Sequence, residues 1–275
     1  MWCWTMKPAR FASAVLLLSG SAASAQPPGV VIPAPIIPDW ALPDSPTHKQ
    51  VAPPPDFHRA PVTADKSIGI FENQTDVGAA LVPGDASYDA ADKSYVITSA
   101  GYNIWYTRDE FRYLWKKMSG DVSLAATISF PDPNGFGDRK AALVIRQSLD
   151  DDSVEALVAQ HGAGMVHLAR REIQNTRIKD MEYRVGSRDG LPGGATPDSL
   201  VTLHASRIGI EKKGDSYQLY VSWQGEPLHA EGAPVTVHIS GPFYVGIGFT
   251  SHQPATLSSA KLSNVVLENR AGAVH

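Results

Sequence analysis

Cysteine is nearly missing from this sequence: Cys3 is the only one in 275 residues. No disulfide can close within the chain, so the fold rests on core burial alone or with a bound ion. Basic tracts are also missing, with nothing beyond pairs such as Lys116-Lys117 and Arg170-Arg171, and the formal net charge is -4. A phosphate polymer calls for a concentrated basic face, which excludes nucleic acid as a partner. No apolar run approaches the roughly 20 residues of a membrane span. No window sustains an i, i+3, i+4, i+7 apolar stripe over about ten residues, so long helices are excluded as well. Catalytic and metal signatures are absent too. There is no Gly-x-Ser-x-Gly elbow, no Glu-x-Asp-x-x-Glu type pattern, and no His-x-His or His-x-x-x-His pairing.

What is present begins at the N-terminus. Lys7 and Arg10 precede the apolar run Phe11–Leu18, and a small-residue stretch ends in Ala23-Ser24-Ala25. That order is a positive region, a short apolar region and an A-x-A cleavage site, which predicts a signal peptide over residues 1–25 and export to the periplasm or medium. Cys3 would leave with it. The mature chain would carry 22 basic against 28 acidic residues. Residues 26–64 hold eleven of the 21 prolines. Proline fixes φ and donates no backbone hydrogen bond, so this stretch reads as an extended, semi-rigid linker.

From residue 65 to 270 the pattern is strand after strand. Ser94–Thr98, Val122–Phe130, Tyr217–Trp223 and Lys261–Leu267 all alternate apolar with polar or small residues. That alternation suits half-buried strands, whose successive side chains point to opposite faces. Turn chemistry separates them at Pro131–Gly135, Lys213–Ser216 and Gln224–Glu226. The apolar fraction of 43% supplies a sizeable core. The fold class implied is all-β, one antiparallel two-sheet sandwich.

The segment Gly101–Asp121 packs six aromatics around the pair Asp109-Glu110. Two-carboxylate chemistry needs both groups in one cleft, about 5 to 10 Å apart. Neighbours on a strand point apart, so the pair reads instead as part of a polar turn, Thr107–Glu110. The flanking strands would be Asn103–Tyr106 and Phe111–Lys117, with Phe111, Tyr113 and Trp115 sharing one face. Two acidic loops, Asp132–Asp138 and Asp150–Ser153, have the oxygen chemistry of calcium sites but read first as solvated hairpin turns.

Several runs resemble a known group: Asn103-Ile104-Trp105, Asp109-x-Phe111, Trp115, Ser119–Ala126, Ala141–Asp150 and Tyr244–His252. Together they look like the concanavalin A-like, laminin-G-like module of a bacterial domain of unknown function. That group occurs in exported proteins and is sometimes fused to TolB-like transport proteins. The resemblance implies a concanavalin A-like jelly roll whose concave face binds saccharides in many relatives, and it allows a structural calcium near Glu72 and the C-terminal strand. Where relatives place an Asp-Gly hairpin, this chain has Ser222-Trp223-Gln224-Gly225. Candidate ligand contacts on that face are Trp105, Trp115, Arg146, His161, Arg170 and Trp223, since rings stack on sugars and Arg or His read hydroxyls. The loop Asp189–Pro197 is a candidate lid. The expectation is a non-catalytic module for a polysaccharide or oligosaccharide. The alternatives are a saccharide hydrolase or lyase and a domain that docks another envelope protein.

Overall fold

A computed structural model describes residues 58–183, 205–223 and 225–274. The predicted signal peptide, most of the linker and the Asp189–Pro197 loop lie outside the described residues. In chain order the first strands are β1 (Val62–Thr63), β2 (Asn73–Val77), β3 (Asp85–Asp89), β4 (Ser94–Gly101) and β5 (Phe111–Met118). There follow β6 (Val122–Ser129), β7 (Lys140–Arg146), β8 (Glu155–His161), β9 (Val166–Arg171) and β10 (Lys179–Tyr183). The last are β11 (Arg207–Lys213), β12 (Ser216–Ser222), β13 (His229–Thr236), β14 (Phe243–Thr250) and β15 (Gln253–Glu268).

The strands form two antiparallel sheets packed as a jelly-roll sandwich. An eight-stranded sheet runs β1-β2-β5-β14-β7-β8-β9-β10, and a seven-stranded sheet runs β13-β12-β11-β6-β15-β4-β3. Between them lies one large apolar core. Leu114, Leu143, Ile145, Val158, Leu168 and Ile247 face Ile97, Leu124, Ile208, Leu219 and Leu262, all buried. Alternation produces this directly, because every second residue of each strand turns to the facing sheet. The edge strand β1 falls within the segment read as linker. Its two residues pair with Thr75 and Asp76 of β2, the edge position that proline-rich flanks tolerate.

The opposite face of the eight-stranded sheet holds a second apolar layer. Phe111, Tyr113 and Trp115 of β5 lie beside Ala142 and Val144 of β7, Leu157 and Ala159 of β8, and Ala169 of β9. Register aligns these into rows. Gly248 stands opposite Ala142, Ala142 opposite Ala159, and Ala159 opposite His167. One row toward the β7–β8 hairpin, Gly246, Val144, Leu157 and Ala169 align in the same way. This floor of glycine and alanine leaves room for the hairpin 103–110, which folds onto the sheet and buries Ile104 against it. The expected strand Asn103–Tyr106 is only this hairpin, tied by a single bridge between Ile104 and Asp109. The Phe111-Tyr113-Trp115 row therefore fills the layer beneath the hairpin, while Leu114 alone of β5's middle residues enters the inter-sheet core.

Candidate functional site

The hairpin is held by buried charge. Asp109, Arg146, Glu155 and Arg171 are each fully buried. Arg171 donates to both carboxylate oxygens of Asp109 at 2.8 Å and to Glu155 Oε1 at 3.1 Å. Arg146 donates to Asp109 Oδ2 at 3.3 Å and to the Ser148 carbonyl at 2.8 Å, with Glu155 Oε2 at 3.6 Å from its other terminal nitrogen. Two arginines and two acids share one dry site, so Asp109 is the counter-charge that draws the hairpin down. The Glu155 carboxyl is pushed up to about 8 by burial first and then by the charge of Asp109, against the pull of both arginines. Sequence reading placed Asp109 and Glu110 in a polar turn. They do sit at the closing side of a turn, but with long-range ionic partners in place of water. Glu110 is also buried, 3.3 Å from Arg59, and its backbone donates to the Asn103 carbonyl.

A second set of bonds fixes the hairpin's outer end. Arg108 donates to the Thr107 carbonyl at 2.6 Å, to Asn175 Oδ1 at 2.9 Å and to His58 Nε2 at 2.6 Å. His58 must then carry its proton on Nδ1, from which it donates to Asp151 Oδ1 at 2.8 Å. Asp151 and Asp152, expected in a solvated turn, are buried. One ligand atom from each of His58, Asp151 and Asp152 lies within 4.8 Å of the others. Arg108 stands among them, so a guanidinium supplies the positive charge that this acidic loop requires, and the set does not fit a divalent cation. Asp132–Asp138 is the mostly exposed turn its sequence suggested. Glu72 is exposed, and its carboxylate accepts the Lys117 backbone N–H at 3.2 Å.

What the hairpin shows to solvent is its tip. Trp105, Tyr106 and Thr107 are half-exposed while every neighbour from Gly101 to Ile104 and from Arg108 to Phe111 is buried. Arg171 Nη2 donates to the Trp105 carbonyl at 3.3 Å, and the Ile178 N–H donates to the Tyr106 carbonyl at 2.8 Å. The Trp105 ring stacks on His167, centroids 5.5 Å apart at 25°, and Lys140 Nζ lies 4.8 Å from the ring centre. His167 and Lys140 both rise from the sheet, so the exposed side of Trp105 is turned outward. Burial holds the His167 imidazole well below its usual pKa, with His161 and Lys140 adding to the effect, so it is neutral at pH 7. The guanidinium of Arg177 lies 5.0 Å from the Tyr106 ring centre. Below Trp105, Lys140 donates to Asn103 Oδ1, and Asn103 Nδ2 donates to His252 Nε2 at 3.0 Å.

Of the residues singled out in the sequence, Trp105, Trp115, Arg146 and His161 share this face. Only Trp105 reaches the surface. Trp115 is buried, donating to Thr75 Oγ1 at 2.8 Å and meeting Tyr244 edge-on. Arg146 belongs to the buried quartet, and His161 lies 4% exposed, edge-on to His167. Arg170 and Trp223 stand apart. Arg170 projects with Val166 and Leu168 from the other face of β9 and pairs with Glu172 at 2.7 Å. Trp223 packs against the inter-sheet core. Tyr106, Lys140, His167 and Arg177 were missed. Tyr106 was legible as the neighbour of Trp105, and Lys140 by sharing β7's face with Arg146. Nothing in the sequence marks Arg177.

No family model matches this chain, and no curated protein sequence does. Among solved structures it is similar to a protein of unknown function from Saccharomyces cerevisiae, at 10% identity and a TM-score of 0.47, covering 69% of this chain and 97% of that one. It is also similar to the carbohydrate-binding module CBM66 from Bacillus subtilis, at 18% identity, TM-score 0.44 and coverage of 74% and 99%. A third is an alginate lyase from Klebsiella pneumoniae, at 14% identity, TM-score 0.40 and coverage of 68% and 84%. No helix among the described residues is long and apolar enough to cross a membrane.

Proposed function

We propose that this chain is an exported, non-catalytic module that binds a glycan on the tip of hairpin 103–110, and that it belongs to the bacterial group its motifs resemble. The observation that carries the proposal is the pair Trp105-Tyr106. Two adjacent aromatics stand half-exposed on a hairpin whose base is locked by four fully buried ionisable side chains. Sugar rings present C–H faces that stack on such rings, and a platform ordered before binding loses little entropy when it is occupied. The outer face of the eight-stranded sheet is itself buried, with Ile104 of the hairpin packed on it. Binding therefore takes place on the hairpin, at its tip. The same geometry weighs against glycosidic hydrolysis through Asp109 and Glu155, because both are sealed from solvent beneath two arginines.

Affinity electrophoresis through gels containing cell-wall and plant polysaccharides tests this reading. At least one polysaccharide should retard the protein. Trp105→Ala should weaken that retention about tenfold or more, as loss of a central aromatic anchor does, with the circular dichroism spectrum unchanged. Equal retention of Trp105→Ala, or release of new reducing ends from the polysaccharide, would contradict it.

A further inference from the structure

We infer that the glycan bound at this tip is anionic and that Arg177 reads its charge; this rests on the glycan-binding reading above. The other charged side chains around the hairpin have polar partners: Lys140, for one, donates to Asn103 Oδ1 and to the Ile104 carbonyl. Asp109 and Glu155 are both held by Arg146 and Arg171. Asp151 and Asp152 each lie 3.9 Å from an Arg108 nitrogen, and Asp151 also accepts from His58 Nδ1. Glu172, beside the tip on the same loop as Arg177, is held by Arg170 and Lys179 at 2.7 and 2.8 Å. Arg177 is different. Its side chain is exposed, its guanidinium lies 5.0 Å from the Tyr106 ring centre, and it makes no ion pair or hydrogen bond with any described residue.

Its backbone is nonetheless anchored. The next residue, Ile178, is buried and bonded through its N–H to the Tyr106 carbonyl. A guanidinium laid on an aromatic ring keeps its edge free for a planar, two-oxygen acceptor, and it is less hydrated than an ammonium. The tip thus combines rings for sugar faces with one unneutralised fork of donors. That combination suits a saccharide bearing a carboxylate, as in a uronic acid, or a sulfate ester. Lys140 beneath Trp105 adds to the positive potential on the same side of the sheet.

Affinity electrophoresis with paired polymers tests the inference. Polygalacturonate is compared with its fully methyl-esterified form, and a sulfated galactan with its desulfated form, so that ring shape is kept while charge is removed. One acidic polymer should be bound about tenfold more tightly than its neutral twin, the scale of one charge-assisted hydrogen-bonding contact. Which of the two shows the difference separates carboxylate from sulfate. Arg177→Gln should erase the difference while leaving the weaker, neutral level of binding. Equal binding of a retained acid and its neutral twin, or discrimination surviving in Arg177→Gln, would overturn the inference and leave glycan binding standing. Retention by none of the four polymers would overturn the inference, and retention by no polysaccharide of the wider panel would overturn glycan binding as well.

Discussion

At the scale of single residues, Glu155 is one of several buried groups that shape the molecule's response to pH. Its folded pKa of about 8 lies above the ordinary 4.5. Between those values the unfolded chain ionises Glu155 while the folded chain keeps its proton. Stability therefore falls as pH rises from about 4.5 toward 8 and levels off beyond. His167 has the opposite sign. Its folded pKa is depressed well below 6.5, so the unfolded chain gains a proton that the folded one refuses, and stability falls as pH drops through 6.5. Buried Glu110 and Asp76 are raised, burial being the first cause in each, and they share the sign of Glu155. Replacing Glu155 by Gln should thus flatten, without abolishing, the decline of the urea midpoint between pH 6 and 8. An unchanged slope would place the ionised form in the fold.

At the scale of elements, the hairpin 103–110 decides the character of the site. Asp109→Ala removes the only acid that the hairpin contributes to the quartet and leaves Arg146 and Arg171 underneutralised in a dry site. Breaking one partner of such a cluster costs about 3–5 kcal/mol. Denaturant unfolding should show that loss, and amide exchange should quicken at Trp105 and Tyr106 before the sheet loosens. A loss under about 1 kcal/mol, within the range of exposed pairs, would show that the quartet does not hold the hairpin. The strands were legible because alternation is a local signal: Ser94–Thr98, Val122–Phe130, Tyr217–Trp223 and Lys261–Leu267 fall on β4, β6, β12 and β15. The hairpin was not. Its partners lie far along the chain, Arg146 and Arg171 being 37 and 62 residues from Asp109, and one sequence carries no trace of such pairings. For the same reason Asp151 and Asp152 read as solvated: their counter-ion Arg108 comes from another loop.

At the scale of the whole molecule, the sandwich acts as a rigid support with one decorated face. Its inter-sheet core was foreseeable from composition and alternation. The second layer was not, because Phe111, Tyr113 and Trp115 face a floor of Gly246, Gly248 and Ala142 that only the register of β5, β14 and β7 creates. A candidate site chosen by residue type thus mixed one surface aromatic, Trp105, with three groups of the buried layer and two residues elsewhere. The central claim is that ligand meets the molecule at the hairpin tip and nowhere else on that face. Its most direct test is the nitrogen-proton spectrum of the tryptophan indoles during titration with oligogalacturonate or a sulfated galactan oligomer, whichever polymer is retained. Saturable movement of the Trp105 signal, with Trp115 and Trp223 unmoved, is the predicted result. A shift at Trp115 or Trp223 with Trp105 unmoved would contradict the account.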